Sequence, residues 1–380
     1  MRAPRAVLVS LYEAFPPASG AANVTYGLAR ALPGWRAIVQ AAPRAYRGTS
    51  PEGVEIVGVP SPRGRFDRLR RLASLLARIA ARCRTLAPDR VIIEGASWAP
   101  YLWALWRRLR GVLPRTPLVY HAHNVEYTLR LQRHGPLIAW LTRQAEGALF
   151  RRAALGTVVS EVDRAQITAL YGVRPALLPN GVDAERFARV GAAELAAARR
   201  RYGLGPEAVL FMGLQGYPPN DRAVARLVHE IWPRVRARRP AAQLVLLGGY
   251  RARREQGIVC PGLVPWQEVP AVVRACALGV APIDSGSGTR VKILEYGAAG
   301  LPVVATARAA EGLLLRDGEH LLVAEQDERF SAEIVRLLGE RELAGRLGRS
   351  AQALVREHYD WPVLARRFAA ELTALGAGPP

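Results

Sequence analysis

The chain has 380 residues, a length typical of two or three domains rather than one. Half of the residues are hydrophobic and 22% are charged, which excludes a disordered chain. The net charge is +21, and the first 190 residues hold 28 arginines against 12 acidic residues. This basic half predicts an anionic partner, and an arginine-favouring coding bias is the alternative explanation.

Short apolar segments alternate with helical patterns along the chain. The apolar segments are rich in Val and Leu and nearly continuous, which is typical of parallel strands buried on both faces. Strands are predicted at 6–10, 54–59, 91–94, 118–121, 156–160, 209–213, 244–248, 278–282 and 303–306. Helices are predicted at 22–32, 67–86, 164–171, 223–237 and 292–299. The alternation predicts an α/β protein with doubly wound, Rossmann-like sheets.

A turn at Pro179-Asn180-Gly181 divides the chain, and a new strand–helix series begins near residue 208. We therefore expect two domains, 1–185 and 186–358, joined by a hinge at 180–205, and a terminal segment at 359–380. In open α/β sheets ligands bind outside the carboxyl ends of the strands. The loops after the strands, facing a central cleft between the domains, are the expected sites.

Two loops of the first domain carry candidate binding groups. The small-residue loop 15–23, which contains Gly20, leads into a helix N-terminus that can attract an anion, and a plain turn is the alternative. His121 and His123 end a strand and share one of its faces. A His-x-His pair is a weak zinc signal, so hydrogen bonds to a polar substrate are expected, with satisfied turn residues as the alternative.

The segment 284–295 is the most informative part of the sequence. Glycines and hydroxyls precede a predicted helix N-terminus, which attracts negative charge, and two cations follow them. This combination predicts a diphosphate site, with a carboxylate one turn into the helix placed to bond a ribose diol; a capped glycine turn is the alternative. The residues assigned to the site are Ser287, Gly288, Thr289, Arg290, Lys292 and Glu295, together with Gly213, Gly216 and Tyr217 from an earlier loop.

Several further segments continue this pattern in a specific order, at 16–21, 159–161, 178–183, 217–220, 288–295, 300–306, 311–313 and 359–361. Together they resemble the glycosyltransferases of family 4, which have the GT-B fold, and two of them resemble a bacterial branch of that family. The resemblance covers nearly the whole chain. Ala21 stands where the family has a second glycine, and Ser287 stands where it has a carboxylate that contacts the donor sugar.

The resemblance implies a nucleotide-diphosphate sugar donor held mainly by the second domain and an acceptor on the first. It implies transfer of a hexose to a hydroxyl of a glycan or lipid-linked acceptor, with retention of anomeric configuration and with no metal or other cofactor. His121, His123 and Glu295 are the expected catalytic-site residues, and Glu295 is expected on the nucleotide ribose. The segment 359–380 is expected to form a helix that crosses back to the first domain.

Other functions remain open at the level of sequence. A nucleotide-sugar epimerase of the same fold, a non-catalytic anion-binding protein and a degenerate transferase that only binds its donor are the alternatives. No nucleic-acid-binding module is recognised, so nucleic acid is not an expected partner. The basic amphipathic pattern at 63–86, followed by Trp98, Trp103 and Trp106, predicts contact with an anionic membrane face, with packing on the sheet as the alternative.

The sequence also bears on location. It has no signal-peptide pattern at the N-terminus and no apolar run of the ~18 residues that a membrane span needs. The three cysteines are too scattered for a disulfide framework or a metal knuckle. A cytoplasmic protein, attached peripherally to the inner face of the membrane, is therefore expected.

Overall fold

A computed structural model of the chain describes residues 4–17, 19–61, 65–251, 257–286 and 288–375, without the side chains of 65–70. The chain divides into two compact units. The first contains Met1–Asn180 and Trp361–Pro380, and the second contains Gly181–Asp360. The end of the chain therefore belongs with its beginning.

A single, mostly parallel sheet forms the centre of the first unit. Its strands are β1 (Arg5–Ser10), β2 (Trp35–Ala42), β3 (Tyr46–Thr49), β4 (Glu55–Pro60), β5 (Arg90–Glu94), β6 (Leu118–Ala122), β7 (Leu155–Val158) and β8 (Ala176–Leu177). Their order is β3-β4-β2-β1-β5-β6-β7-β8, and only the β3–β4 pair is antiparallel. The central strands are continuous runs of buried apolar residues, as expected for strands covered on both faces.

Helices fill the connections of this sheet. They are α1 (Gly20–Ala31), α2 (Arg65–Leu86), α3 (Ala99–Val112), α4 (Glu126–Arg133), α5 (Pro136–Arg152) and α6 (Glu161–Tyr171). Helix α1 begins at Gly20 because the Ser19 hydroxyl caps it, accepting a bond from the amide of Ala22 at 3.2 Å.

Strand β2 is missing from the sequence predictions, although it lies beside β1 in the sheet. Its polar residues, Arg36 and Gln40, interrupt the apolar run on which the predictions depend. Gln40 is fully buried, and its side-chain oxygen accepts bonds from the amides of Ala14 and Phe15, each at 2.9 Å. The buried side chain of Gln40 thus provides hydrogen-bond partners for the backbone of the loop that follows β1.

The second unit has a fully parallel sheet. Its strands are β9 (Ala208–Met212), β10 (Gln243–Leu247), β11 (Ile258–Gly262), β12 (Leu278–Ala281), β13 (Val303–Ala305) and β14 (Leu322–Val323), in the order β11-β10-β9-β12-β13-β14. Its helices are α7 (Ala184–Ala188), α8 (Ala192–Tyr202), α9 (Pro218–Arg226), α10 (Trp232–Arg238), α11 (Val269–Ala275), α12 (Val291–Ala298), α13 (Ala307–Ala310), α14 (Asp327–Gly339) and α15 (Arg341–His358). The prediction of two Rossmann-like α/β domains is confirmed.

The helix predicted at 223–237 is interrupted. Helices α9 and α10 are joined by one π-helical turn, Leu227–Ile231. Pro233, in the first turn of α10, has no N–H to donate to the preceding turn, which favours the wider turn before it.

The last helix, α16 (Trp361–Ala374), packs against α1 in the first unit. A Cβ atom at Gly27 of α1 would lie only 2.0 Å from Nε1 of Trp361, so the glycine makes room for the indole. The predicted return of the C-terminal helix to the first domain is confirmed.

The described apolar side chains of the basic segment are largely packed into the core of the first unit, while most of its described arginines are exposed. Leu75, Leu76, Ile79 and Cys83 of α2 are buried, and Trp106 of α3 is buried and stacks on Trp103. Arg63 lies outside the described residues, as do the side chains of Arg65, Phe66, Arg68, Leu69 and Arg70. Among the helices that the structure describes, none is long and apolar enough to cross a bilayer.

Candidate functional site

Glycines bring the loops after β9 and β10 into contact. Gly248 has a φ of +133°, and a Cβ there would lie 1.9 Å from the carbonyl oxygen of Gly213. A Cβ at Gly213 would lie 2.7 Å from Cγ of Asn220, whose amide donates to the carbonyl of Leu214 at 3.1 Å. Gly216, also with a positive φ, donates its amide to Asp221 at 3.0 Å. These contacts hold the loop 213–220 in one conformation.

Lys292 joins this loop from helix α12. Its Nζ donates to Oδ1 of Asn220 at 2.9 Å and lies 4.2 Å from the centre of the Phe211 ring. Burial, assisted by the neighbouring charge of Arg290 and opposed by Glu295, lowers the pKa of Lys292 to about 7. The only lysine of the chain therefore titrates near neutral pH.

Arg290, predicted to bind phosphate, is bonded to the glycine loop before α12. Its guanidinium donates to the carbonyl oxygens of Gly288 and of Gly286, the latter at 3.1 Å, and Arg308 also donates to Gly286 at 2.9 Å. A Cβ at Gly286 would lie 3.6 Å from the hydroxyl of Tyr217. Arg290 therefore holds the loop after β12 in shape, close to Tyr217, while its charge stays at the N-terminus of α12.

The N-terminus of α12 lies beside these groups. Arg290 is the N-cap residue of α12, but its side chain accepts no hydrogen bond from the first-turn amides of Val291 and Lys292. Glu295, one turn later, is half-buried, and burial raises its pKa to about 7 against the opposing charges of Arg186 and Lys292. The second unit thus has one group of polar elements, made of the N-terminus of α12, the cations Arg290 and Lys292, and the carboxylate of Glu295.

The structure thus brings together most of the residues predicted for the diphosphate site. Gly213, Gly216, Tyr217, Gly288, Thr289, Arg290, Lys292 and Glu295 lie on the loop after β9 or at the start of α12. Ser287 lies outside the described residues. Gly20 is the first residue of α1 in the first unit. Asn220 and Arg186 were not predicted, because only the folded chain places them next to Lys292 and Glu295.

A second group of polar side chains lies in the first unit. His121 is buried in β6, with Nδ1 2.9 Å from the hydroxyl of Thr157. His123 follows the strand, with Nε2 2.7 Å from Oε2 of Glu94, and the two imidazole rings lie 4.9 Å apart. Burial lowers the pKa of His121 to about 4, so this imidazole is neutral at pH 7.

Glu94, at the carboxyl end of β5, is a buried carboxylate that was not predicted as a site residue. Its Oε2 also accepts a bond from Thr25 at 3.0 Å, and Thr25 is 2.7 Å from the hydroxyl of Tyr12. Burial alone would raise the pKa of Glu94, but the hydrogen bonds from His123 and Thr25 hold it below its usual value. Its Oε1 has no partner among the described residues. The sequence did contain a signal for this residue, because Glu94 is a carboxylate at the end of the strand predicted at 91–94.

These side chains also have the composition of a metal site. Ligand atoms of Glu94, His121 and His123 all lie within 4.8 Å of one another. Three protein ligands of this kind occur in catalytic zinc sites. Here, however, His123 bonds Glu94 directly, so a cation would have to displace the shared proton.

Comparison with known families covers both units. Residues 18–186 match the family described as Glycosyltransferase Family 4, and residues 206–340 match Glycosyl transferases group 1. The chain is 29% identical over 224 residues to the phosphatidyl-myo-inositol mannosyltransferase of Mycobacterium tuberculosis. It is 28% identical over 210 residues to the protein of that name from Propionibacterium freudenreichii. The first match covers 55% of this chain, and the chain spans 57% of that relative's length.

Solved structures share the fold over nearly the whole length. Sucrose-phosphate synthase from Thermosynechococcus elongatus has a TM-score of 0.76 at 17% identity, covering 98% of this chain and 99% of its own. Anabaena Alr3699/HepE in complex with UDP and glucose has a TM-score of 0.74 at 14% identity, covering 97% and 99%. At these identities the likeness concerns the fold, which is of the GT-B type. Residues 18–186 therefore form a domain of glycosyltransferase family 4, and residues 206–340 form a domain of glycosyl transferases group 1.

Proposed function

We propose that the chain is a retaining glycosyltransferase that moves a hexose from a nucleotide-diphosphate sugar to a hydroxyl acceptor. The observation that carries the proposal is the group at the start of α12, where Arg290, Lys292 and Glu295 lie beside the glycine loop after β9. Its cations and amides suit a diphosphate, and its carboxylate suits a ribose diol. The group lies within the part of the chain that matches Glycosyl transferases group 1.

The diphosphate binds at α12 rather than at the neighbouring α9. Helix α9 begins with Pro218 and Pro219, which have no N–H to offer an anion. Helix α12 offers the amides of its first turn together with the ammonium of Lys292. Arg290 adds positive charge while it keeps the glycine loop in shape.

The reaction breaks the bond between the anomeric carbon and the diphosphate oxygen. A new bond forms between that carbon and the acceptor oxygen, and the proton of the acceptor hydroxyl passes to the leaving diphosphate. Negative charge develops on the leaving diphosphate, and preorganised amides and cations at α12 stabilise that charge in the transition state. In a retaining transfer the acceptor approaches the same face of the sugar that the diphosphate leaves.

The first unit supplies the acceptor and sugar contacts in this proposal. His121 is held neutral by burial, and His123 is oriented by its bond to the Glu94 carboxylate. Each histidine has one ring nitrogen bonded within the unit, to Thr157 or Glu94, and its other nitrogen can bond a sugar hydroxyl.

The first donors to test are those that carry mannose or glucose. The sequence relatives are named phosphatidyl-myo-inositol mannosyltransferases, and one of the similar structures contains UDP-glucose. We extend this to the acceptor and propose a glycan or lipid-linked hydroxyl compound, made and used on the cytoplasmic side.

The test is a thermal-shift screen with UDP, GDP and ADP, followed by product analysis with the matching hexose donors. One nucleotide is expected to stabilise the protein selectively, by about 2.7 kcal/mol at 100 times its dissociation constant. Glu295→Ala is expected to abolish the shift, whereas Glu319→Ala, an exposed carboxylate of the same unit, serves as the matched control. NMR of the product then gives the anomeric configuration.

Three outcomes would contradict the proposal. Isomerised donor in the absence of acceptor would identify an epimerase. A product with inverted configuration would exclude retention. A folded protein that binds none of the nucleotides would exclude the donor site at α12.

A further inference from the structure

Helix α5 buries a carboxylate that belongs to neither group of site residues. Glu146 is fully buried in the first unit. Its Oε1 accepts a bond from the backbone amide of Glu126 at 2.7 Å, and its Oε2 accepts one from the amide of Tyr127 at 3.1 Å. The hydroxyl of Tyr171 also donates to Oε2, at 2.7 Å. Two backbone amides and one hydroxyl therefore hold this carboxylate.

The two amides belong to the first turn of α4. This helix begins at Glu126, and its N-cap residue, Val125, provides no side-chain cap. The first-turn amides of a helix need acceptors from outside the helix, and the positive end of the helix dipole favours a negatively charged one. Glu146 is such an acceptor, so α5 provides the N-terminal cap that α4 lacks in its own sequence.

The cap lies next to His123 in the chain. Only Asn124 and Val125 separate this histidine from the start of α4, and Val125 is buried. Reacting groups must be held closely, because a displacement of about 1 Å can cost about 100-fold in rate. A shift of the start of α4 would carry the His123 imidazole with it, away from its bond to Glu94.

Packing fixes the ring of Tyr171 beside the carboxylate. A Cβ at Gly147 would lie 2.8 Å from Cδ1 of Tyr171, so the residue after Glu146 makes room for this ring. The ring also stacks on Phe150, with the two ring centres 6.2 Å apart. The hydroxyl of Tyr171 is thereby placed to donate to Glu146.

The protonation state of Glu146 changes near neutral pH. Burial raises the pKa of Glu146 to about 7, while the bonds from Tyr171 and from the two amides oppose the increase. Hydrogen bonds to a charged acceptor are roughly twice as strong as those to a neutral one. Protonation therefore weakens the cap of α4 as the pH falls through about 7.

Other titratable groups lie near this carboxylate on β6, α6 and α4. Burial raises the pKa of Tyr120 and that of Tyr171, so both phenols are neutral at pH 7. Burial also raises the pKa of Glu126, whose Oε2 lies 3.0 Å from Nε of Arg130. The negative charge of Glu126 in turn contributes to the raised pKa of Glu146.

The nearby cations are Arg130 of α4 and Arg143 of α5. The Arg143 guanidinium lies 5.6 Å from the centre of the Tyr127 ring. Arginine keeps its charge near neutral pH. Glu126 is therefore the neighbour whose titration has to be separated from that of Glu146.

We propose that Glu146 is a positioning residue, which holds His123 in place by capping α4 and releases it when the carboxylate is protonated. Sugar transfer then slows at acid pH, although Glu146 is not one of the reacting groups. The inference rests on the proposed contact between His123 and a sugar hydroxyl. The position of the imidazole can be measured without substrate, which separates a failure of the inference from a failure of that contact.

The first experiment is NMR of the unliganded protein with ¹³C-labelled histidine, at about pH 8, where Glu146 is ionised. The Cε1–Hε1 signal of His123, assigned by its loss in His123→Gln, reports the surroundings of the ring. Glu146→Gln removes the charge of the cap and is expected to shift or broaden this signal. The matched control is Glu126→Gln, which neutralises the neighbouring buried carboxylate and leaves the cap in place, and it should shift the signal much less.

The second experiment measures kcat against pH at saturating acceptor and saturating donor, with the donor that the nucleotide screen identifies. We expect kcat to rise roughly tenfold or more between about pH 6 and pH 8, as Glu146 becomes ionised. Glu146→Gln should keep kcat at its low value and remove the rise, whereas Glu126→Gln should keep the rise. A variant that was only less stable would lower kcat without removing its dependence on pH.

Tyr171→Phe gives a readout that a loss of stability does not imitate. Phenylalanine keeps the packing against Gly147 and Phe150 but removes the hydroxyl that favours the ionised carboxylate. The midpoint of the rise in kcat is therefore expected about one pH unit higher.

Melting temperatures verify that the variants are folded. The inference is overturned if Glu146→Gln leaves the His123 signal unchanged, or if Glu126→Gln shifts that signal equally. It is also overturned if the midpoint of the kcat profile stays unchanged in Tyr171→Phe. A shifted His123 signal with an unchanged kcat would overturn the effect on sugar transfer, and it would locate the failure in the proposed contact of His123 rather than in the cap.

Discussion

Nε2 of His123 lies 2.7 Å from Oε2 of Glu94, and both side chains are almost completely buried. Because the pKa of Glu94 is held below its usual value, the carboxylate is ionised at neutral pH and accepts the bond. This fixes the imidazole by one nitrogen. The pair is the most constrained part of the candidate site in the first unit.

Glu94→Gln tests whether this bond positions His123. A hydrogen bond to a charged group contributes about 1.5–3 kcal/mol, so we expect kcat to fall roughly 10- to 100-fold. The KM of the donor should change much less. Steady-state kinetics, with circular dichroism to verify folding, measure the effect.

Thr25→Val is the matched control for this variant, because it removes the other bond to Glu94 and leaves the imidazole contact in place. A smaller loss of kcat is expected. Equal losses for the two variants would show that Glu94 acts through general stability rather than through His123.

Lys292 is the titrating cation of the proposed diphosphate site. A bound diphosphate favours the charged ammonium and should raise the pKa of Lys292 from about 7. Affinity for the nucleotide is therefore expected to fall roughly tenfold between about pH 6 and pH 8.5, with proton uptake on binding. Glu295, with its pKa also raised to about 7, becomes anionic over the same range, while Arg290 and Arg186 keep their charges. Calorimetry in buffers of different ionisation enthalpy measures both quantities.

Lys292→Met should weaken binding and flatten this pH dependence, whereas Glu295→Gln should leave the contribution of Lys292 in place. Inorganic pyrophosphate, which lacks a ribose, reports the diphosphate contact alone. A pH dependence that persists unchanged in Lys292→Met would refute the assignment.

Gly248→Ala tests the close approach of the loops after β9 and β10. The added Cβ would lie 1.9 Å from the carbonyl oxygen of Gly213, at a φ of +133°. We expect a loss of at least about 2 kcal/mol in the free energy of unfolding, together with weaker nucleotide binding below the melting transition. Urea denaturation measures the first effect and calorimetry the second.

The control for this substitution is Gly111→Ala in the last turn of α3, where a Cβ would meet no atom within 4 Å. It should be neutral, or stabilise by roughly 0.5–1 kcal/mol, because alanine favours a helix. If Gly248→Ala behaves like this control, the loop contact does not constrain the site.

Sugar transfer is expected to need no metal, because Lys292, Arg290 and the amides of α12 neutralise the diphosphate. Activity should survive dialysis against EDTA. Added Zn²⁺ is the informative counterpart, since Glu94, His121 and His123 lie close enough to bind it. Activity that is lost in EDTA and restored by Zn²⁺ would assign these three residues to a catalytic metal site.

The second unit was predictable from sequence to an unusual degree. Glycines, hydroxyls and cations stand together at 284–292, so a local pattern was enough to single out the segment of the proposed diphosphate site. Strands β9, β10, β12 and β13 were predicted because both of their faces are buried, which makes their sequences continuously apolar, whereas β11 and β14 were missed. Strand β2 was missed because Gln40, a buried polar residue, serves a loop rather than the core.

Sequence by itself determined the α/β class, the division into two Rossmann-like domains and the segment that carries Lys292 and Glu295. These depend on the period of apolar residues and on local spacing, both of which are readable along the chain. The tertiary structure alone placed Glu94 against His123 and Asn220 against Lys292, since these partners lie 29 and 72 residues apart. Strand order brings these partners together. A buried carboxylate is stable only beside a hydrogen-bond donor, and no local sequence pattern shows which donor that will be.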